Sequence, residues 1–341
     1  MPRTTAIRVT VIVVCVAGVA GMIEATAALA ETLRASAVFR AKMQIRGVAE
    51  RLGSALPCGI RNGDDAAAIP DRDGWLLLAA DGILPDLVER DPYLAGRCAV
   101  LANVNDVYAM GGRPTAMVDV LGAPTDSVTA ELCRGLRDGA ARYRVPIVGG
   151  HLLRTAASGS LAVAIVGRAR TLITSFDARP GDRLVLITHP DGRFMEPDGF
   201  WNATLSRNDA ALVPNLELLP AAAEAGLVSA GKDVSMSGLA GTAVMLAEAS
   251  RVGARIDLDA LPPPPGVPLV RWLTAFMSYG FLLAVHPDAY PGLVAPFAAR
   301  GLTVGKVGEI VPGSRLELCR GEERALLWDW RDRAFTGFGA P

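Results

Sequence analysis

Apolar and polar positions change period several times along the chain, and this change predicts alternating helices and strands. Helical spacing predicts a helix over 93–110 and a second helix over 126–143, capped by Thr125 or Asp126. Apolar runs predict strands over 74–81, 114–122, 145–150 and 160–168. The first of these is expected to be a buried strand that ends in Asp81. The alternation favours a mixed α/β or α+β layer.

A turn signal at 179–182 separates the two halves of the chain. Beyond it, the pattern predicts strands over 183–188, 253–258 and 280–286, and helices over 215–229, 238–251 and 269–277. The segment 189–208 is polar, aromatic and aperiodic, so we expect a loop or a mobile flap over a site. We expect one or two helices over 24–52. The predicted domains cover 24–170 and 171–320, and a tail covers 321–341.

Residues 1–23 form an apolar N-terminal extension that permits two interpretations. Basic residues before and within the apolar run, and small residues after it, are typical of a secretory signal with a mature start at Ala28 or Glu31. We favour the other interpretation, in which translation starts at Met22 and the preceding residues are an over-extended start. A start at Met22 fits an intracellular enzyme, and N-terminal sequencing of the native protein tests it.

Composition narrows the class of protein. The 341 residues are 51% hydrophobic and 20% charged, with a net charge of −1, which is typical of a globular chain of about two domains. A charge this close to zero predicts no nucleic-acid partner. The five cysteines form no CxxC pair, so we expect free thiols in a reducing, cytoplasmic compartment. The three histidines are far apart in sequence, which disfavours a histidine-rich metal site.

Aspartates follow the apolar segments of the first half, and these are the chain's main candidates for chemistry. Asp64 and Asp65 come directly after Gly63, Asp81 ends a predicted strand, and Asp106 lies within a predicted helix. Mg²⁺ in proteins is held by a few carboxylates together with substrate phosphates, so the pattern predicts a site for a divalent cation and a polyphosphate. An Asx turn after Gly63 is the alternative for the adjacent pair.

The predicted secondary structure and burial of each aspartate add detail to the predicted cation site. Neighbours on a strand face opposite sides, so only one of Asp64 and Asp65 is expected to face the site. A buried Asp81 must be paired or metal-bound. Asp106 stands beside two asparagines, which are poor helix formers, in a segment that we expect to be largely buried. A solvated helix face is the alternative for Asp106.

Two further segments carry candidate residues for a phosphate. Gly149 and Gly150 end a predicted strand and would allow a phosphate close to the backbone, although a plain turn explains them equally well. In the second half, Asp233 and Ser235 precede the predicted helix at Gly238, whose free N–H groups would face an anion. Ser235 could instead be only an N-cap, and Asp233 a solvated loop carboxylate paired with the adjacent lysine.

The order of these motifs resembles the AIR synthase (PurM-like) superfamily, which includes thiamine-monophosphate kinase, selenophosphate synthetase and HypE. The chain contains no GxxxxGK[ST] loop and no GxGxxG fingerprint, so neither the P-loop nor the Rossmann nucleotide site fits, and it contains no GxSxG elbow. The resemblance covers about 33–311. The residues that carry it are Gly63-Asp64-Asp65-Ala66-Ala67, Asp81, Asn105-Asp106 with Ala109-Met110-Gly111, Gly149-Gly150, Asp233-Val234-Ser235 with Gly238-Leu239, and Ser250-Arg251-Val252-Gly253-Ala254.

The resemblance implies an α+β chain with an N-terminal mixed sheet that pairs across a homodimer, followed by a C-terminal α+β domain. It implies ATP and several Mg²⁺ ions as cofactors and a small molecule as substrate. It assigns cation binding to Asp64, Asp65, Asp81, Asp106 and Asp233, and ATP phosphate binding to Gly149, Gly150 and Ser235, with His151 and Gly238 beside them. The catalytic candidates are Asp106, His151 and Lys42.

Departures from the family pattern leave the substrate open. His151 stands where thiamine-monophosphate kinase carries an aspartate, and Met236 replaces the second aspartate of its DISD motif. His151 could contact a phosphate or could be an ordinary turn histidine. Lys42 could match the catalytic lysine of selenophosphate synthetase or could be a surface lysine. We predict an ATP- and Mg²⁺-dependent enzyme that phosphorylates a small molecule; the alternatives are a thiamine-monophosphate kinase-like phosphotransferase and a non-catalytic nucleotide-binding scaffold. No membrane partner is expected unless the apolar N-terminal segment is real.

Overall fold

A computed structural model describes residues 25–52, 60–154, 158–197, 199–205, 210–261 and 263–338, without the side chain of Ala49. The predictions for the apolar N-terminal extension lie outside these residues, as do parts of the expected flap. Over the described ranges, no helix has the length and apolar character needed to cross a membrane.

The first part of the chain forms a mixed five-stranded sheet in the order β1-β2-β5-β3-β4. All neighbouring strands are antiparallel except β3 and β4, which are parallel. The elements are α1 (Thr26–Ala35), α2 (Ala37–Met43), α3 (Ile45–Leu52), β1 (Ala67–Asp71), β2 (Gly74–Gly82), α4 (Pro85–Arg90), α5 (Pro92–Ala109), β3 (Arg113–Ala123), α6 (Asp126–Tyr143), β4 (Ile147–Arg154) and β5 (Ser160–Ala169). The mixed sheet predicted for the N-terminal domain is confirmed.

Strand β2 corrects one expectation about burial. Leu77 is completely buried against helix α5, whereas the next residue, Leu78, is 48% exposed on the opposite face. The predicted strand was expected to be buried, but the helices cover only one face of the sheet, so alternate residues remain in solvent. An apolar sequence run alone does not distinguish a covered face from an uncovered one.

Helices α5 and α6 pack closely because glycines stand where they cross. A Cβ atom on Gly135 would lie 2.1 Å from the carbonyl oxygen of Tyr93, and one on Gly96 would lie 2.5 Å from that of Leu132. Neither backbone can move without separating the two helices. The close approach therefore depends on glycine at both positions.

We expect Gly135→Ala to destabilise the protein by about 1–3 kcal/mol, since a methyl group would be forced into a filled contact. Denaturant unfolding of the two proteins measures this change. Gly305→Ala is the matched control, because a Cβ there meets no atom within 4 Å. Equal stability of Gly135→Ala and wild type would show that the helices adjust freely.

The second part of the chain builds a seven-stranded sheet in the order β15-β14-β10-β13-β6-β12-β9 and a three-stranded sheet in the order β11-β8-β7. The elements are β6 (Arg183–Thr188), β7 (Arg193–Met195), β8 (Phe200–Asn202), α7 (Leu212–Leu216), α8 (Leu218–Glu224), β9 (Ala230–Asp233), α9 (Gly238–Ser250), β10 (Gly253–Asp257), α10 (Leu269–Leu273), β11 (Phe276–Met277), β12 (Gly280–Val285), α11 (Tyr290–Ala298), β13 (Thr303–Val311), β14 (Arg315–Arg320) and β15 (Glu323–Asp329).

Several predicted elements differ from the structure. The expected flap over 189–208 contains strands β7 and β8, and Trp201 is buried between Phe194 and Trp272. The predicted helix over 215–229 is interrupted at Glu217, and the helix over 269–277 stops before strand β11. Residues 26–52 contain the helices α1, α2 and α3, more than the one or two expected over 24–52. Tertiary pairing that is distant in sequence decided these differences.

The two ends of the described chain pack together on the second sheet. Leu29, Leu33 and Phe39 from helices α1 and α2 share a core cluster with Trp328 and Phe335. The helices that the predicted boundary grouped with the first sheet therefore contribute to the second core. Strand β15, which falls within the predicted tail, is an edge strand of the seven-stranded sheet. This arrangement brings helix α2 and the C-terminal segment beside the aspartates.

Candidate functional site

A cavity of about 710 Å³ collects the predicted aspartates from both halves of the chain. Six aspartates and three basic side chains line it, including all five aspartates predicted to bind cations. The lining side chains of these two kinds are Asp64, Asp65, Asp81, Asp86, Asp106 and Asp233, with Lys42, Arg90 and Lys232. Another part of its wall is apolar, where the rings of Phe200 and Phe276 stack with their centroids 5.1 Å apart. The cavity therefore combines a highly charged region with a surface suited to a flat or apolar group.

Asp64 and Asp65 both line this cavity, so the expectation that only one of them faces it is wrong. They lie in a bend before strand β1, where the period-two rule for strands does not apply. Gly63 has a φ of 111°, which favours glycine and starts this bend. The Asp64 carboxylate accepts a hydrogen bond from the Ser175 N–H at 2.9 Å and another from the Ser175 hydroxyl.

Asp81 and Asp106 approach the cavity from the first sheet and its covering helix. Asp81 is next to the last residue of strand β2, and Asp106 lies in the last turn of helix α5. The predicted burial of this helical segment is confirmed, since Asn103 and Asn105 are buried. The Asn105 side chain donates to the Ser278 carbonyl oxygen, which ties the helix to the second half of the chain.

Lys232 and Asp233 enter from strand β9, and both are buried, so the solvated-loop interpretation of Asp233 is wrong. The Lys232 Nζ lies 2.5 Å from Asp65 Oδ1, 3.1 Å from the Ser175 Oγ and 3.9 Å from Asp64 Oδ1. Asp65 also accepts a hydrogen bond from the Asp233 N–H at 3.1 Å. One ammonium group thus links the carboxylates of the N-terminal bend to the second sheet.

Burial and mutual repulsion raise the pKa values of the carboxyl groups. Burial raises the pKa of Asp64 to about 6, and the charge of Lys232 offsets part of this increase. Burial and the charge of Asp65 raise the pKa of Asp233 to about 8. The pKa of Asp106 lies well above its ordinary value because of burial and the charges of Asp81 and Asp233. Crowded carboxylates of this kind attract a cation or protons.

Asp81 and Lys232 respond differently to the same surroundings. Burial raises the pKa of Asp81, while Lys42 and a hydrogen bond with Asp106 act in the opposite direction. Burial would lower the pKa of Lys232, but the charges of Asp65 and Asp64 outweigh it and keep this pKa above its ordinary value. Lys232 is therefore a fixed positive charge in the cluster.

The donor set fits Mg²⁺ that is shared with phosphate. Across the residues that the structure describes, no group of three or more His, Cys, Asp or Glu side chains is arranged to hold a metal ion by itself. Mg²⁺ commonly takes only one or two carboxylates and completes its shell with substrate phosphates and water. The aspartates that line this cavity form no such group of three, which matches that pattern.

The remaining predicted residues are divided between two places. Lys42 and Ser235 line the cavity, and Gly238 begins helix α9 with a φ of 63°. Gly149, Gly150 and His151 are exposed in the middle of edge strand β4, not at its end as predicted, because the strand continues to Arg154. The structure does not bring these three residues to the cavity wall of the same chain.

Sequence reasoning missed several residues of the site. Ser175 binds both Asp64 and Lys232, yet it follows a stretch without periodicity and no motif marks it. Thr336 and Phe338 line the cavity from the C-terminal segment, which was interpreted only as a tail. The adjacent aromatic and glycine residues at 335–339 were the available signal in the sequence.

Comparison with solved structures gives the class of fold. The structure of AaThiL complexed with AMPPCP and TMP superposes with a TM-score of 0.64 at 22% identity, over 83% of this chain and 95% of that chain. An arrangement of two α+β halves of this kind defines the PurM-like fold. The predicted fold class is therefore confirmed.

Comparison of the sequence with protein families and with known proteins identifies the family. The description "AIR synthase related protein, N-terminal domain" matches residues 63–169, and the corresponding C-terminal domain matches residues 179–319. An uncharacterized protein of Synechocystis is 47% identical over 280 residues, covering 82% of this chain and 87% of that protein. Selenide, water dikinase of Aeromonas hydrophila is 30% identical over 313 residues, covering 75% and 85% respectively. The chain belongs to the AIR synthase-related family, and the predicted resemblance is confirmed.

Proposed function

We propose that this protein binds ATP with Mg²⁺ in the carboxylate cavity and transfers a phosphoryl group to a small molecule. The observation that carries the proposal is the carboxylate cluster, in which the bend before β1, strands β2 and β9 and helix α5 together contribute five aspartates to one cavity of about 710 Å³. The names of two similar proteins support it, since one is a dikinase and the other was solved with AMPPCP. Use of ATP also supports a cytoplasmic location.

The proposed roles follow from where each side chain lies. Mg²⁺ would supply positive charge that offsets the charge of the phosphates, and we assign it to Asp81, Asp106 and Asp233, which line the cavity. Lys42 and Ser235 also line the cavity and would bind phosphate oxygens. Phosphoryl transfer needs positioning and electrostatic stabilisation more than covalent chemistry, and these side chains would provide both. The stacked Phe200 and Phe276 would hold the apolar part of a ligand.

Calorimetry with ATP, with and without Mg²⁺, tests the proposal on a chain that begins at Met22. We expect wild-type binding that depends on Mg²⁺, and at least about tenfold weaker binding by Asp106→Asn, because one ligand of the cation site is lost. Asp288→Asn is the matched control, since the Asp288 side chain is 92% exposed and lies outside the cavity. Absence of ATP binding in the wild type would overturn the proposal.

Measurement of ATP turnover distinguishes the proposed phosphotransferase from a thiamine-monophosphate kinase-like enzyme and from a nucleotide-binding scaffold. Release of ADP in the presence of a small-molecule library would support phosphoryl transfer, and release with thiamine monophosphate would favour the thiamine-monophosphate kinase-like alternative. Binding of ATP without turnover of any compound would favour a nucleotide-binding scaffold.

The uncovered face of the first sheet supports a homodimer as part of this proposal. Leu78, Val118 and Val120 are 48%, 43% and 46% exposed and stand on the face opposite helix α5. The strand registers align Val118 with Ala164 and Ala80, which extends the apolar surface across three strands. A continuous apolar surface of this kind is typical of an interaction site. His151 is aligned with Val120 on the same face, so a second copy would cover it.

We expect Val120→Asp to convert a wild-type dimer into a monomer, because the charge would be buried in the apolar interface. Light scattering coupled to size-exclusion chromatography measures the mass of each species. Leu326→Asp is the control, since Leu326 is 42% exposed on strand β15, away from the first sheet. A monomeric wild-type protein at micromolar concentration would contradict the proposed dimer.

A further inference from the structure

The C-terminal segment 335–338 is bound to one buried carboxylate. Glu248 of helix α9 is 1% exposed and accepts hydrogen bonds from the N–H groups of Phe335, Thr336 and Gly337 at 2.7, 2.8 and 3.3 Å. The Thr336 hydroxyl donates a further bond at 2.6 Å. A buried carboxylate accepts only, so this set of donors satisfies Glu248 and holds the segment in one conformation.

Aromatic packing fixes the same segment from the other side. The Phe335 ring is fully buried and makes edge contacts with Phe39 of helix α2 and with Trp328 of strand β15, at centroid distances of 5.3 and 5.2 Å. Helix α2 also carries Lys42, which lines the cavity. The segment is therefore held between helix α2, which contributes to the cavity, and strand β15 of the seven-stranded sheet.

Phe338, the last residue of this segment, lies against the bend that carries Asp64 and Asp65. A Cβ atom built on Gly63 would lie 2.4 Å from the Phe338 ring, so the ring packs directly on the Gly63 backbone. Thr336 and Phe338 both line the cavity. These residues come after position 319, where the match to the family's C-terminal domain ends.

We propose that Glu248 latches the C-terminal segment so that Phe338 positions the Asp64–Asp65 bend for cation and nucleotide binding. Glu248 and Phe338 are positioning residues in this arrangement, and Phe338 also closes the cavity next to the aspartates. The inference rests on the proposed function, because the bound cation and nucleotide are its readout. Phe338 lies outside the two matched domains, whereas Glu248 lies within the second.

The test measures Mn²⁺ binding by electron paramagnetic resonance and ATP binding by calorimetry on the full chain. We expect Phe338→Ala to weaken Mn²⁺ binding by about tenfold or more, as loss of a supporting residue commonly does, with little change in melting temperature. Phe338→Tyr keeps the ring and should retain the wild-type affinity. A chain that ends at Phe338 is the control, since it keeps every contact described above.

Hydrogen exchange on the protein without ligand tests whether Glu248 holds the segment, and Mn²⁺ binding tests the effect on the cavity. Glu248→Gln places an amide N–H₂ among the donors, so we expect faster exchange at Phe335, Thr336 and Gly337 together with weaker Mn²⁺ binding. Wild-type Mn²⁺ and ATP affinities in Phe338→Ala would overturn the inference while leaving the proposed function intact. Failure of the wild type to bind Mn²⁺ or ATP would overturn both.

Discussion

Lys232→Met should destabilise the protein by about 3–5 kcal/mol at pH 8, the usual effect of removing one partner from a buried ion pair. The Lys232 side chain is 5% exposed, and its Nζ contacts Asp65 at 2.5 Å and the Ser175 Oγ at 3.1 Å. Methionine fills a similar volume but leaves the carboxylates of Asp64 and Asp65 without their cation. Urea unfolding in EDTA measures the loss of stability.

The same loss should be smaller at pH 6, because a carboxyl group that has lost its cation can take up a proton instead. Asp64 already has a pKa of about 6 in the presence of Lys232, and removal of the lysine would raise it further. Mg²⁺ should stabilise Lys232→Met more than it stabilises the wild type. Lys306→Met is the matched control, since Lys306 is exposed on strand β13. A loss at pH 8 no larger than that of the control would exclude Lys232 as a structural cation.

The second large effect is a loss of stability in EDTA as the pH rises from about 5 to 8. Asp233 has a pKa of about 8 in the folded protein, against 3.8 as its ordinary value, and the pKa of Asp106 is also raised. Between these values the folded state holds protons that the unfolded state has released, so the free energy of unfolding falls as pH rises. Each unit of pKa corresponds to about 1.4 kcal/mol, so the total is expected to reach several kcal/mol.

Thermal unfolding across this pH range measures the decrease, and Mg²⁺ added at pH 8 should reverse part of it because a bound ion stabilises the folded state. Asp233→Asn removes one titrating group, so its melting temperature should vary less with pH. Asp288→Asn should retain the wild-type dependence, since its side chain is 92% exposed. A wild-type melting temperature that rises from pH 5 to 8 would contradict the pKa values of the cluster.

The sequence by itself determined the family and identified five of the six aspartates that line the cavity. Helices 93–110 and 126–143 were predicted within a residue or so of Pro92–Ala109 and Asp126–Tyr143, because their apolar spacing and caps are local properties. The aspartates were recognised for a similar reason, since short motifs around Asp65, Asp106 and Asp233 keep their order along the chain. Their assignment as cation ligands stays a prediction.

Tertiary structure alone decided how these residues act on one another. Lys232 was read as the partner of its neighbour Asp233, yet its ammonium lies against Asp65, 167 positions away. The segment interpreted as a tail is held by Glu248 and covers Gly63, and the apolar strand β2 is exposed on one face. Burial, ion pairing and pKa values depend on contacts between residues distant in sequence, and local periodicity and motifs carry no information about those contacts.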